Sequence, residues 1–132
     1  MRNIGYFAFS AIMLFGCNAT QTPELHVSGL AFYNASNFAI ENISLKVVKT
    51  GKMVSCSLVE EKNYCGTGFP MAKYKGAELS LRWQSGEVTH RRDKVMLKLP
   101  NEFDSSKRYV AVFKIDSNNQ IDAFFALNPR PF

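Results

Sequence analysis

The sequence predicts an all-β domain built as a roughly seven-stranded antiparallel β-sandwich. Three observations carry that expectation. Apolar residues recur at every second position in several stretches, the period of a strand that buries one face. Clusters of Gly, Asn, Asp, Ser and Pro punctuate those stretches at short intervals. No later stretch shows the i, i+3, i+4 spacing of an amphipathic helix.

Leu25 and Val27 begin the first strand. The alternation slips at Ser28-Gly29 before Leu30 and Phe32, and a glycine there permits a bulge. Asn34-Ala35-Ser36-Asn37 reads as a loop. Ile43, Leu45 and Val47 form the next inward face, opposite Ser44, Lys46 and Val48. Thr50-Gly51-Lys52 turns the chain into Val54, Cys56 and Leu58, and Glu60-Glu61-Lys62-Asn63 is a charged turn.

Cys65-Gly66-Thr67-Gly68-Phe69-Pro70 is irregular and glycine-rich. Leu79, Leu81 and Trp83 then alternate with Glu78, Ser80, Arg82 and Gln84, the cleanest strand pattern in the chain. Gln84-Ser85-Gly86-Glu87 is a turn into a strand from about Val88 to Leu99, with Val95, Leu97 and Leu99 facing in. Pro100 ends it. Tyr109, Ala111, Phe113 and Ile115 make another face. Asp116-Ser117-Asn118-Asn119 turns with residues that tolerate left-handed geometry, and Ile121, Ala123, Phe125 and Leu127 complete a hairpin. Two sheets that each bury one face explain the alternation, as in sandwiches of immunoglobulin-like or transthyretin-like type. An open barrel is the main structural rival. Trp83 sits mid-domain and belongs to the expected core.

The chain before this domain has a different character. Arg2 is the only charge before Glu24, and Phe7 to Phe15 is nearly all apolar. That run is too short for a bilayer-spanning helix, which needs about 20 apolar residues. A basic start, a short apolar core and small residues at a cut site make a secretory signal. The alternative is a buried N-terminal helix or strand. Leu14-Phe15-Gly16-Cys17 resembles the lipobox of bacterial lipoproteins. The resemblance covers the leader alone, and Phe15 departs from the smaller residue commoner at its position. It implies cleavage between Gly16 and Cys17, diacylglycerol on the Cys17 thiol, and a further acyl chain such as palmitate on the new amine. One acyl chain anchors a protein only marginally, and two or more hold it stably. Asn18 stands where an Asp would signal inner-membrane retention, so the resemblance favours the outer membrane, facing the periplasm.

The expected organisation is a signal peptide over 1–16, a lipidated Cys17 and polar tether over 17–23, a sandwich over 24–128 and a stiff tail over 129–132. The chain after the leader has the length of one domain. With Cys17 lipidated, Cys56 and Cys65 remain, and an exported protein in an oxidising compartment should join them. Trp83 is then expected near that bridge. The formal charge of +5, reduced by one when Arg2 is removed, suits a soluble surface kept away from neutrality. No nucleic-acid-binding motif accompanies it.

Catalytic chemistry finds little footing. His26 and His90 are the only histidines, and no Gly-x-Ser-x-Gly nucleophile elbow occurs. Thr89-His90-Arg91-Arg92-Asp93 reads as a solvated strand edge. Zinc sites want four close Cys and His ligands, and calcium loops want a glycine at a fixed offset among their acids. Asp116 to Asp122 lacks that glycine and reads as a hairpin turn. No metal and no cofactor is expected beyond the lipid on Cys17. Asn34-Ala35-Ser36 and Asn42-Ile43-Ser44 match the N-glycan acceptor pattern, a coincidence in a bacterial exported chain.

Three surfaces could serve a partner. Gly66 to Tyr74 mixes aromatic, Met and basic groups, with Phe69, Met71, Lys73 and Tyr74 as the contact candidates. The alternative is a cross-over loop whose Phe69 and Tyr74 cap the core. A basic group of Arg82, Arg91, Arg92, Lys94 and Lys98 could form a stripe, with a solvated face as its alternative. The tail ending in Pro131-Phe132 is the third. The expectation is a non-enzymatic binding or scaffold lipoprotein, an accessory of an envelope or secretion machine, with a membrane and an envelope protein as partners. The alternative is an immunity or inhibitor lipoprotein that neutralises a toxic or lytic enzyme in the periplasm.

Overall fold

Among residues 24–127, which are those the computed structural model describes, the alternating stretches pair into nine strands and two sheets. They are β1 (Leu25–Asn34), β2 (Ile40–Val47), β3 (Met53–Val59), β4 (Tyr64–Thr67), β5 (Lys73–Tyr74), β6 (Leu79–Ser85), β7 (Val88–Val95), β8 (Tyr109–Ile115) and β9 (Ile121–Leu127). One sheet has the order β4-β1-β8-β9, with β5 also on β1. The other has the order β3-β2-β6-β7. The chain is therefore an all-β sandwich. The leader, Cys17, the polar tether and the tail lie outside the described residues.

Three hairpins stay within a sheet. Gly51 and Gly86 close two of them at φ +76° and +63°, where glycine carries no Cβ penalty. The third turns at Asp116 to Gln120. There Asn119 supplies the left-handed residue at φ +58°, and the Asp116 carboxylate accepts from the Asn118 and Gln120 amides at 2.8 and 2.9 Å. Apart from the β4–β5 connection, which stays on β1, every other connection crosses between sheets, so both sheets are assembled from segments distant in sequence.

One pair departs from the expected antiparallel arrangement. β1 and β8 run parallel in register from Gly29↔Val110 to Asn34↔Ile115. A hairpin would force them antiparallel, but the intervening chain passes through the other sheet first and leaves direction free. The slip read at Ser28-Gly29 is a register shift in this ladder, between Val27 and Gly29.

The core lies between the sheets. Leu30, Phe32, Ala111, Phe113 and Ile115 on one side meet Ile43, Leu45, Val47, Leu79, Leu81 and Trp83 on the other. Each large side chain buried this way stabilises the fold by about 1.5–3 kcal/mol before entropy is counted. Two inward faces differ from the expected pattern. Leu58 is exposed and Val59 buried, because β2 and β3 change face beside Asn42, which sits at φ +50°. β7 stops at Val95 rather than Leu99: Lys94 at φ +56° shifts its register on β6, and Leu99 is exposed while Leu97 remains buried.

The two sheets are joined covalently at one side. β3 and β4 are edge strands of different sheets, and the Cys56–Cys65 disulfide links them across a Cα–Cα distance of 6.5 Å. Cys56 and Trp83 belong to one core cluster. The first crossing is fixed by a buried polar knot. Asn34 donates to the Phe38 and Val59 carbonyls at 2.6 and 3.0 Å and accepts from the Ser36 amide and hydroxyl at 2.9 and 2.5 Å. Its amide is fully used, so burial costs it no partner.

Candidate functional site

β4 and β5 run in succession along the same side of β1, and the chain between them swings outward. Gly68 to Ala72 form that excursion, closed where the Val27 amide donates to the Ala72 carbonyl at 3.1 Å. The Cys56–Cys65 bridge holds its start. Its end is held at β5, where Lys73 and Lys75 reach the Glu24 carboxylate at 2.7 and 2.6 Å. Hydrogen bonds from Lys73 and then Lys75 draw the Glu24 carboxyl down to about 2.

The excursion and the start of β3 line a shallow groove. Its apolar floor comes from Val27, Phe69, Pro70 and Met71, with Met53 and Lys52 opposite. Phe69 and Met71 are half-buried and pack partly on the core. Met53 is 63% exposed, a flexible apolar side chain beside them. Apolar and sulfur-bearing groups with a lysine at the rim suit an extended apolar or mixed peptide surface.

Tyr74 is corrected as a contact residue. It is fully buried and cannot meet a partner. Its ring packs edge-on against Phe69 at 6.3 Å and against Phe125 at 5.4 Å. Its hydroxyl accepts from the Leu97 amide at 3.0 Å and donates to the Ala77 carbonyl at 3.2 Å. Burial pushes the Tyr74 phenol up, partly offset by the Leu97 bond. The residue that looked like part of an interaction loop is thus the anchor that positions Phe69.

Arg91 and Arg92 lie elsewhere. They are on β7, and β3 and β7 are opposite edges of one sheet. The groove and the arginines therefore form two surfaces. Arg91 pairs with Asp93 at 3.0 Å, which with Ser80 lowers the Asp93 carboxyl. Arg92 lies over the Trp83 ring at 5.6 Å and donates to the Asn119 carbonyl at 3.3 Å. His90 stacks on the same indole at 5.2 Å. That grouping fastens β7 to the β8–β9 turn and leaves Arg91 as its outward charge.

His26 is exposed on β1 beside Lys73 and His90 sits on the other sheet, so the two imidazoles do not converge. Among the described residues no three His, Cys, Asp or Glu side chains gather as a metal site would need. Gly16 and Cys17, the expected cleavage and lipidation positions, lie outside the described residues. Sequence reasoning missed Met53, because alternation assigned significance only to the inward residues of its strand. It also missed Phe38, which is 60% exposed at the crossing fixed by Asn34.

No family model matches this sequence, and no curated protein matches it. A solved structure described as "NMR structure of the protein from Eubacterium rectale" is similar over 83% of this chain and 92% of its own, at 8% identity and a TM-score of 0.44. That degree of likeness assigns no function.

Proposed function

We propose that this chain is a lipid-anchored envelope protein that acts as a non-enzymatic binding or scaffold module, with its groove as the contact surface. The observation that carries the reading is the construction of the Gly68–Ala72 excursion. A disulfide fixes one end, ion pairs and a buried tyrosine fix the other, and half-buried apolar side chains line the groove between them. A surface held rigid in this way loses little entropy on binding.

The lipobox-like Leu14-Phe15-Gly16-Cys17 supports the anchor. A lipid on Cys17 would lie close to the groove along the chain. The groove flanks Val27, and the residues between Cys17 and Leu25 reach about 25 Å when fully extended. The partner would then be an envelope protein met near an outer-membrane surface facing the periplasm.

Two measurements test this. Cys17→Ser should abolish labelling by a palmitate analogue and release the chain from membranes; retained labelling overturns the anchor. A photoreactive residue at Met53 or Met71 should crosslink to envelope proteins in cells, while one at Glu87 should not. Capture of a single soluble enzyme through the groove would favour the inhibitor role. Equal crosslinking at all three positions would refute the groove as a contact surface.

A further inference from the structure

The four lateral edge strands are treated differently. β7 carries Arg91, Arg92 and Lys94, and a register shift at Lys94 breaks its regularity. Charges and bulges of that kind block edge-to-edge pairing. β4 is four residues long and yields to the outward loop. β3 is tied to β4 through Cys56. β9 has none of these devices. It is Ile121-Asp122-Ala123-Phe124-Phe125-Ala126-Leu127, with one charge, no proline and an unbroken ladder on β8.

The ladder also says which of its backbone groups are free. The Asp116 amide donates to the Gln120 carbonyl, so that pair is a bonded one. Bonded and non-bonded pairs alternate along an antiparallel ladder. Asp122, Phe124 and Ala126 therefore bond to β8. Ile121, Ala123, Phe125 and Leu127 turn their N–H and C=O groups to the outer edge, where no described strand pairs with them.

We propose that β9 pairs antiparallel with β9 of a second copy, about a two-fold axis at Phe124. A two-fold axis normal to the sheet keeps each residue on its own face, so only positions of equal parity can stand opposite. Centred on Phe124, Ile121 meets Leu127 and Ala123 meets Phe125, and all four free residues of each copy are used, for about eight hydrogen bonds. Centring on Ala123 or Phe125 would push one end of the strand past its partner. Ala123 against Phe125 alternates small and large on the inner face. On the outer face Asp122 meets Ala126, which keeps the two carboxylates apart, and Phe124 meets Phe124. Such pairing is independent of the groove and of the anchor.

A strand-only join is of the transient size class, so crosslinking reads it better than gel filtration. Phe124 would face its copy in a non-bonded pair, with Cα atoms about 4.5 Å apart. That lies within the roughly 4.4–6.8 Å a disulfide spans. Phe124→Cys in the complete chain should give a disulfide dimer on non-reducing gels, above the wild-type baseline. Asp122→Cys should not, because its copies are about 13 Å apart along the strand. Adding Ala123→Pro to Phe124→Cys should return the dimer to baseline. That proline removes only an outward amide, so the thermal unfolding midpoint should stay near that of Phe124→Cys. Equal dimer at positions 122 and 124, no dimer at 124, or a crosslink to a different protein overturns the proposal.

Discussion

Removing the Cys56–Cys65 bridge is the perturbation whose magnitude the structure defines best. The bridge closes a loop of sequence separation 9. Chain entropy for a loop near ten residues gives about 2.7 kcal/mol of stabilisation at 25 °C. The native state needs little rebuilding without it, because β3 keeps its ladder on β2 and β4 keeps its ladder on β1. Most of the effect therefore comes from the freed unfolded chain. For a domain near 100 residues this lowers the melting midpoint by about 10–20 °C. The assay is thermal and urea unfolding of wild type, reduced wild type and Cys56→Ala/Cys65→Ala. The m-value should rise as the unfolded chain expands. A loss below about 0.5 kcal/mol in both forms would refute the reasoning, and so would a loss above about 5 kcal/mol. The first would mean that the unfolded chain is already constrained there, the second that the sheets do not pack without the bond.

Three further outcomes rest on buried or paired groups. Asn34→Ala should cost about 2–3 kcal/mol in urea unfolding, since it removes a donor from the Val59 carbonyl and the acceptor of the Ser36 amide, and leaves the Phe38 carbonyl only the Ser36 hydroxyl. Tyr74→Phe keeps the packing but leaves the buried Leu97 amide without its acceptor, and should cost about 1–2 kcal/mol. Glu24 has a lowered folded pKa, so its contribution is full above the ordinary carboxylate value of 4.5 and is lost as pH falls toward about 2. Glu24→Gln should flatten that part of the stability–pH curve, and an unchanged slope would mean that the ion pairs add nothing to stability.

Much of the sandwich was legible because an inward face repeats every second residue. β6 shows why: Leu79, Leu81 and Trp83 are apolar and fully buried, and their neighbours are polar. Direction was not legible, since β1 reads the same whether β8 runs with it or against it. β4 was missed because Gly66 and Thr67 carry no strand signal, and it exists through the bonds of β1. The slips beside Asn42 and at Lys94 were hidden because non-glycine residues adopt left-handed φ there, which composition does not announce. At the candidate site, Phe69 and Met71 were visible as an apolar cluster between turns. Tyr74 was misplaced because an amphipathic side chain looks alike in a sequence whether its hydroxyl meets water or a buried amide.

The two sides of this sandwich are closed by unequal means, and that inequality bears on how the molecule opens. On the β3–β4 side a covalent bond survives any local loosening. On the β7–β9 side the polar link between sheets is carried by two bonds to Asn119, from Arg92 to its carbonyl at 3.3 Å and from the Trp83 Nε1–H to its side chain at 3.5 Å, with Arg92 steadied over the Trp83 ring within its own sheet. Two long hydrogen bonds add little, and the cation–indole contact that holds Arg92 in place contributes about 0.5–1 kcal/mol at an exposed site. Local opening should therefore begin at β7 and β9, and leave the β3–β4 side for global unfolding. Amide exchange would report it: the β6–β7 ladder should exchange by a lower-energy route than the β2–β3 ladder. Arg92→Ala should widen that difference. Faster exchange in β3 than in β7 with the disulfide intact would show that Arg92 and Trp83 hold the sheets more firmly than their chemistry allows.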